Sequence, residues 1–231
     1  RSAVKRERAG ARPATRSKTQ PQRPAAPRSG GIAAKVGNDT YSSLADAVAA
    51  VTGAGDKTGT VQIVENIELS EFIVIPSGAD ITITDDGEAH TVTMASSAEQ
   101  RSYAAFVVER GGSLTIDGAN LTFTRQASAE RVSGLVVCHG EFTLQDGTFD
   151  FNGQTVAWNT NTNSASAVIH ACGEDAVFTM NGGTIQNAFL NTNTAGVQVS
   201  SDASFILNGG VIKDITGGGS ARSGAVLVYA P

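Results

Sequence analysis

The sequence predicts an all-β protein, a right-handed parallel β-helix (solenoid), and three observations support this fold class. Charged residues make up only 17% of the 231-residue chain, and 26 glycines accompany many β-branched residues, which favours strands over helices. Short apolar segments recur about every 29 residues, with three segments in each repeat. A chain of this kind winds into stacked turns that bury one another's apolar faces.

The clearest repeat is a pair of large apolar residues separated by one smaller or polar residue. Because side chains alternate along a strand, both members of a pair point to the same face. We expect that face to line the interior, where pairs from successive repeats stack at a spacing of roughly 4.8 Å. The four pairs are Leu114/Ile116, Phe142/Leu144, Phe178/Met180 and Phe205/Leu207.

Two further apolar series complete the three predicted strands of each repeat, and their right-handed path follows from the usual hand of parallel crossovers. One series follows the pairs, at Leu121, Phe149, Ile185 and Ile212. The other precedes them at intervals of 29, 33, 29 and 29 residues, beginning at Phe106, Leu135, Val168, Val197 and Val226. The main alternative is antiparallel, because Asp-Gly and Asn-Gly steps between apolar segments are also typical of hairpins.

A helix precedes the repeats, and we expect it to cap the open N-terminal end of the β-helix. Ser42 or Ser43 can cap the start of this helix, and Gly53 can end it. Its apolar face consists of Leu44, Val48 and Val51.

Charge divides the chain into two parts. Residues 1–30 carry a net charge of +8, are rich in proline and lack apolar periodicity, so we expect a disordered basic linker. Residues 31–231 carry −13, which argues against nucleic acid as the main ligand because phosphates would be repelled. No run of 18 apolar residues is present, so we expect no membrane span.

The predicted β-helix domain comprises residues 36–231. We expect it to be truncated at its C-terminus, because residues 225–231 stop as a new strand begins. The chain starts at Arg1 without a recognisable signal peptide. These features predict a processed part of a larger multidomain chain.

The segments that open the domain carry a resemblance to a known family. They are Gly37–Val48, Thr60–Val64, Ile67–Leu69, Phe72–Gly78 and Ile81–Ile83. Together they resemble the opening of pectate-lyase-like right-handed parallel β-helix proteins, which are common on bacterial surfaces. The resemblance covers about residues 36–231, and it is specific for the fold rather than for a function.

The resemblance implies a secreted, cell-wall or cell-surface location. It implies an adhesin-like module that binds carbohydrate or a host surface, or a spacer between other domains. The alternative that it implies is a polysaccharide lyase or glycoside hydrolase with its active site partly outside this chain. The positions of the acidic residues identify no catalytic pair, because stacked repeats bring many carboxylates equally close.

A pair of similar loops supplies the candidate ligand-binding residues. Each loop has an aromatic residue followed by a run of Asn and Thr. An aromatic face can cover the apolar face of a sugar while neighbouring amides bond to its hydroxyls. The other interpretation is that the aromatic residues pack on the outside of the coil above solvated turns. The candidate residues are Trp158, Asn159 and Asn161 in one loop, and Phe189 and Asn191 in the next.

A column of Asp and Asn residues is predicted at the turns, where Asp117, Asp146, Asn181 and Asn208 each precede a glycine. Asn and Asp suit tight turns, and that role alone explains the column. Asp117 and Asp146 would also lie one strand spacing apart, close enough to attract Ca²⁺. No other cofactor is expected.

Histidine and cysteine complete the candidates. His170 falls among the third-series residues, so we interpret it as an interior imidazole with satisfied hydrogen bonds. Cys138 and Cys172 lie near equivalent positions of adjacent repeats. A disulfide and two buried thiols are both compatible with this placement.

Overall fold

The computed structural model describes residues 31–97, 99–158, 161–217 and 223–229, so the predicted linker at residues 1–30 lies outside the described residues. This part of the chain is predominantly β-strand and contains one α-helix, α1 (Leu44–Thr52), and one short 3-10 helix (Gln100–Ser102). Its strands are β1 (Ala34–Val36), β2 (Asp39–Tyr41), β3 (Thr58–Ile63), β4 (Ile67–Leu69), β5 (Ile73–Ile75), β6 (Asp80–Asp85), β7 (His90–Met94), β8 (Phe106–Val108), β9 (Ser113–Arg125), β10 (Val136–Cys138), β11 (Glu141–Asp150), β12 (Ala167–Cys172), β13 (Val177–Met180), β14 (Thr184–Leu190), β15 (Ala195–Ser200), β16 (Ser204–Leu207), β17 (Val211–Gly217) and β18 (Gly224–Tyr229).

The predicted helix is confirmed at α1. The Ser43 hydroxyl accepts a hydrogen bond from the Asp46 amide at 3.0 Å, which caps the first turn. Gly53 follows the last turn and donates its N–H to the Ala49 carbonyl at 2.9 Å. The buried face of the helix consists of Leu44, Ala47, Val48 and Val51. At this end of the molecule β1 also pairs antiparallel with both β2 and β3.

Every pairing among the described strands from β3 to β18 is parallel. The strands form three ladders, in which each strand pairs with a strand of the next repeat. The first ladder contains β3, β6, β13, β16 and the first halves of β9 and β11. The second contains β4, β7, β14, β17 and the second halves of β9 and β11. The third contains β5, β8, β10, β12, β15 and β18.

The internal column predicted at Leu114, Phe142, Phe178 and Phe205 is confirmed. These residues are register partners in the first ladder, so the antiparallel alternative is wrong for these segments. The rings of Phe142 and Phe178 stack with their centroids 5.1 Å apart, and those of Phe178 and Phe205 stack at 4.9 Å. The apolar core therefore runs continuously along the ladders.

The predicted alignment is wrong in two ladders. In the second ladder Phe123, rather than Leu121, pairs with Phe149, because β9 has more residues than β11 between the two stretches in which they pair.

In the third ladder Val136 and Ile169, rather than Leu135 and Val168, align with Phe106 and Val197. Loops of unequal length separate these strands, so the register can shift by one residue between repeats. The spacing of apolar residues alone does not show where such a shift occurs.

A buried arginine fixes the connection between β7 and β8. Arg125 is fully buried, and its guanidinium donates hydrogen bonds to the carbonyl oxygens of Ala95, Gln100 and Tyr103. Burial lowers the pKa of Arg125 to about 10, so the side chain remains charged at neutral pH. The carbonyl oxygens compensate the buried charge. The same hydrogen bonds anchor the connection, which contacts the candidate site through Ser102.

The interior is open to solvent at the last described repeat. Leu207 and Val228 are 56% and 73% exposed, whereas their register partners Met180 and Val199 are buried. The difference arises because no described strand pairs with the far side of β16 or β18.

We expect Phe142→Ala to lower the free energy of unfolding by about 3–5 kcal/mol, because it leaves a cavity in the stacked column. Phe142 is 1% exposed and contacts the rings of both Phe149 and Phe178. The control is Thr143→Ala, which changes the adjacent outward-facing residue and should stay within about 0.5 kcal/mol of the wild type. Urea unfolding of both variants measures the difference, and equal midpoints would contradict the internal column.

Candidate functional site

The candidate site lies on the outward face of the third ladder. Outward residues there are register partners from repeat to repeat, namely Val107, Val137, His170 and Gln198. His170 is buried and hydrogen-bonded as predicted, with Nε2 2.8 Å from the Ser200 hydroxyl, but it faces outward, because the inward residues of β12 are its neighbours Ile169 and Ala171. His170 is nevertheless only 8% exposed, since residues 161–166 lie over this part of the sheet.

We call residues 161–166 the covering loop, and hydrogen bonds to neighbouring segments hold it in place, including three between Ala165 and residues 133–134. Its Asn163 carbonyl accepts from the Ala104 amide at 2.9 Å. Its Ser164 hydroxyl donates to the Ser102 carbonyl, within the connection anchored by Arg125. Its Thr162 carbonyl lies 2.8 Å from Nε2 of His139, the residue that follows β10.

A pocket of about 320 Å³ opens between the covering loop and the third ladder. Its walls combine hydroxyl, amide, imidazole and thiol groups with one apolar side chain. The lining residues are Val137, His139, Asn161, Thr162, Ser164, His170 and Cys172.

His139 is held with both ring nitrogens facing backbone carbonyl oxygens. Nδ1 lies 2.8 Å from the Cys172 carbonyl and Nε2 lies 2.8 Å from the Thr162 carbonyl. A carbonyl oxygen only accepts hydrogen bonds, so this geometry favours the imidazolium, in which both nitrogens donate. Hydrogen bonding to the Cys172 side chain, opposed by burial and supported by the two carbonyls, raises the pKa of His139 to about 9.

Cys172 is the register neighbour of His139, because Cys138 pairs with Ala171 one residue earlier. Its side chain is partly exposed in the pocket. Hydrogen bonding from His139, and then from His170, lowers the pKa of the Cys172 thiol to about 5 despite its partial burial. Between about pH 5 and pH 9 the pair therefore consists of a thiolate and an imidazolium.

Cys138 behaves in the opposite way. It is buried in the core, and burial raises the pKa of its thiol to about 12. Both cysteines are free, so the disulfide alternative is wrong. Alternation explains this result, since Cys138 points inward and Cys172 points outward.

His139 was not among the predicted site residues, because the sequence alignment was wrong by one residue in this ladder. That alignment placed Cys138 and Ala171 in line with Ser200. The observed column is His139, Cys172 and Ser200. The sequence does show a polar residue after each inward apolar segment, and this signal could have pointed to His139. Only backbone pairing, however, fixes which of these polar residues lie in one column.

The structure brings part of the predicted ligand-binding set to this pocket. Asn161 lines it, and Trp158, at 57% exposure, precedes the covering loop. Asn159 lies outside the described residues. Phe189 is 48% exposed, and its ring lies against Gly217 of the next repeat. The Asn191 amide donates to the Thr194 hydroxyl at 2.8 Å, within its own turn.

The predicted aspartate pair lies elsewhere, in the first ladder. Asp117 and Asp146 are register partners, and Asp146 accepts a hydrogen bond from the Gly147 amide at 2.7 Å. Asn181 does not continue this column, since its amide donates to the Gln145 side chain at 3.0 Å. Among the described residues, no group of three or more His, Cys, Asp or Glu side chains is arranged to hold a metal ion.

A second, more open groove of about 440 Å³ adjoins the other side of His139. Arg110 crosses it and pairs with Asp175 at 2.6 Å. Asp80 and Glu141 lie along the same groove and both pair in register with Ser113. The groove therefore carries carboxylates from neighbouring repeats together with a cationic side chain.

Comparison with known proteins gives no relative: no protein-family model, no curated protein and no solved structure matches this chain. In the part of the chain that the structure describes, no helix is long and apolar enough to cross a membrane.

We expect His139→Gln to loosen the covering loop, because glutamine cannot donate to both carbonyl oxygens in the same way. Loss of a charged hydrogen bond corresponds to roughly 1.5–3 kcal/mol, or at least about tenfold faster local opening. Hydrogen exchange of residues 161–166 measures this change. The matched control is His90→Gln, whose imidazole bonds to Asp86 on another part of the molecule. Equal protection in both variants would contradict the anchoring role of His139.

Proposed function

We propose that this chain is a right-handed parallel β-helix of the pectate-lyase-like type, acting as a secreted or cell-surface, adhesin-like module that binds carbohydrate. The fold is supported by three parallel ladders whose inward side chains form one apolar core. The opening segments that resemble such proteins support the surface location. In this arrangement the ladders provide a rigid base, and the loops between strands carry the recognition residues.

One observation carries the carbohydrate proposal. The only tryptophan, Trp158, is 57% exposed and precedes a loop that lines an open pocket. An exposed indole offers a flat apolar face to a sugar ring, and the Asn161 and Thr162 side chains line the pocket a few residues further along the chain.

The net charge of the protein indicates the class of sugar. The protein outside residues 1–30 is strongly acidic. We therefore propose a neutral sugar, since an acidic sugar would be repelled by the surrounding surface.

We expect Trp158→Ala to weaken glycan binding by about fivefold or more, since stacking on an aromatic ring contributes roughly 1 kcal/mol beyond area burial. A glycan array identifies a ligand, titration of the intrinsic fluorescence of Trp158 gives its affinity for the wild type, and calorimetric titration compares the wild type with the variant. The control is Val74→Ala, an outward residue of the same ladder away from the pocket. Unchanged binding by the Trp158 variant, or no neutral glycan bound by the wild type, would refute the proposal.

The groove beside His139 favours a second candidate function, that of a glycan-active enzyme. Asp80 and Glu141 pair with Ser113 from opposite sides. Their backbones are therefore two strand spacings apart, or roughly 9.6 Å. Glycoside hydrolases that invert configuration place the carboxyl groups themselves about 6.5–9.5 Å apart, a separation that two side chains can reach from this backbone spacing by leaning towards each other.

If the groove is catalytic, Glu141→Gln should reduce polysaccharide cleavage at least a hundredfold, because one of the two acid–base groups is removed. Reducing-end release from plant and mucin polysaccharides measures the activity. Glu68→Gln, on the exposed face of β4, is the matched control and should retain full activity. Absence of cleavage by the wild type would remove this candidate function and leave the binding proposal in place.

A further inference from the structure

The thiol in the pocket has no role in carbohydrate binding, and its surroundings differ from those of an inert cysteine. Cys172 is partly exposed, faces a pocket of about 320 Å³ and lies beside two imidazoles. Both ring nitrogens of His139 lie 2.8 Å from backbone carbonyl oxygens, which favours its imidazolium form. Reactive cysteines are found in accessible, electropositive surroundings of this kind.

We propose that Cys172 is a nucleophile that exchanges with low-molecular-weight disulfides, with the His139 imidazolium as the neighbouring positive charge. This proposal goes beyond carbohydrate binding and does not depend on it. The substrate class is a small disulfide that fits the pocket, and the product is a mixed disulfide at Cys172.

The exchange is balanced without a further reactant. The Cys172 thiolate attacks one sulfur of the disulfide R–S–S–R, a new S–S bond forms, and the original S–S bond breaks. The leaving thiolate R–S⁻ takes the electron pair of the broken bond. It then takes a proton from solvent and departs as R–SH. Reversal of the same steps by excess thiol restores Cys172.

Disulfide exchange fits this pocket better than acyl transfer does. Acyl transfer requires hydrogen-bond donors aimed at a developing oxyanion. The Gly173 amide, next to the thiol, already donates to the Ser200 carbonyl at 3.3 Å, and the Ser166 amide faces Nδ1 of His170 at 3.5 Å. Exchange at sulfur develops no oxyanion, so it needs only the thiolate, an open approach and a proton source.

Among the described residues, few charged or polar groups lie near the Cys172 thiol. His139 approaches from the preceding repeat, and His170 lies two residues before Cys172 on β12. On the following repeats Ser200 pairs with Cys172, and Tyr229 pairs with Ser200. The acidic residues of the next turn, Glu174 and Asp175, pair with Arg110 in the adjacent groove.

Cys138 provides an internal comparison within the same chain. Its side chain donates to the Gly140 carbonyl at 3.1 Å inside the core, where a disulfide cannot approach. Burial raises its pKa to about 12, whereas the imidazoles lower that of Cys172 to about 5. The two thiols should therefore react at very different rates in the folded protein.

The pH dependence is the most specific consequence of the proposal. With a pKa of about 5, the thiolate fraction of Cys172 falls only about twofold between pH 8 and pH 5. An ordinary thiol with a pKa of about 8.5 loses roughly a thousandfold of its thiolate over the same range. The ratio of rates at the two pH values does not depend on how accessible the thiol is, so it isolates ionisation from burial.

The experiment uses the full-length wild-type chain with dithiodipyridine, a small uncharged disulfide that releases a chromophore. Rates are measured from pH 4 to pH 9 beside N-acetylcysteine in the same buffers, and peptide mapping locates the mixed disulfide. We expect one fast-reacting thiol, located at Cys172, whose rate relative to N-acetylcysteine increases by more than a hundredfold from pH 8 to pH 5. His139→Gln should return this relative rate towards that of N-acetylcysteine.

Three outcomes would overturn the proposal. One is a pH profile parallel to that of N-acetylcysteine, and another is labelling of Cys138 as fast as Cys172. The third is reaction only after unfolding in urea. Glycan titration of Trp158 fluorescence tests the proposed function separately, so failure of either proposal leaves the other intact.

Discussion

Parallel backbone pairing between successive repeats is the constraint on which the other features of this protein depend. Each strand bonds to its counterpart in the next repeat, so equivalent side chains lie one above another. Because side chains alternate between the two faces of a strand, one choice of register decides which residues are inside and which are outside. The stacked rings of Phe142, Phe178 and Phe205 follow from that register, and so does the outward position of His139.

The same register gives the two cysteines opposite chemistry. A thiol on the inner face is surrounded by apolar groups that oppose ionisation, as at Cys138. A thiol on the outer face of the next repeat lies beside His139, which stabilises the thiolate of Cys172. The buried Arg125 contributes indirectly, because it anchors the connection between β7 and β8. Ser102 in that connection accepts a hydrogen bond from Ser164 of the covering loop, which lies over His139 and Cys172. The register therefore places the thiol of Cys138 on the inner face and the thiol of Cys172 on the outer face.

Sequence reasoning worked best where the physical signal was local and repeated. Helix α1 was predicted with its N-cap at Ser42 or Ser43, and Ser43 is the cap, because capping and apolar periodicity act within a few residues. The column from Leu114 to Phe205 was predicted because large residues recurred at similar spacing. The alignments of Leu121 and Leu135 failed, because a bulge or a loop of different length shifts the register without changing the apolar pattern.

Composition and apolar spacing by themselves determined that the chain is predominantly β and that Leu114, Phe142, Phe178 and Phe205 occupy equivalent positions, and they favoured parallel over antiparallel stacking. Those properties follow from which residues are apolar and how often they recur. Only the tertiary structure decided that His170 faces outward, that Cys138 and Cys172 are not bridged, and that the covering loop encloses a pocket with His139. The physical reason is that these outcomes depend on pairing between residues about 30 positions apart, where a shift of one residue moves a side chain to the opposite face.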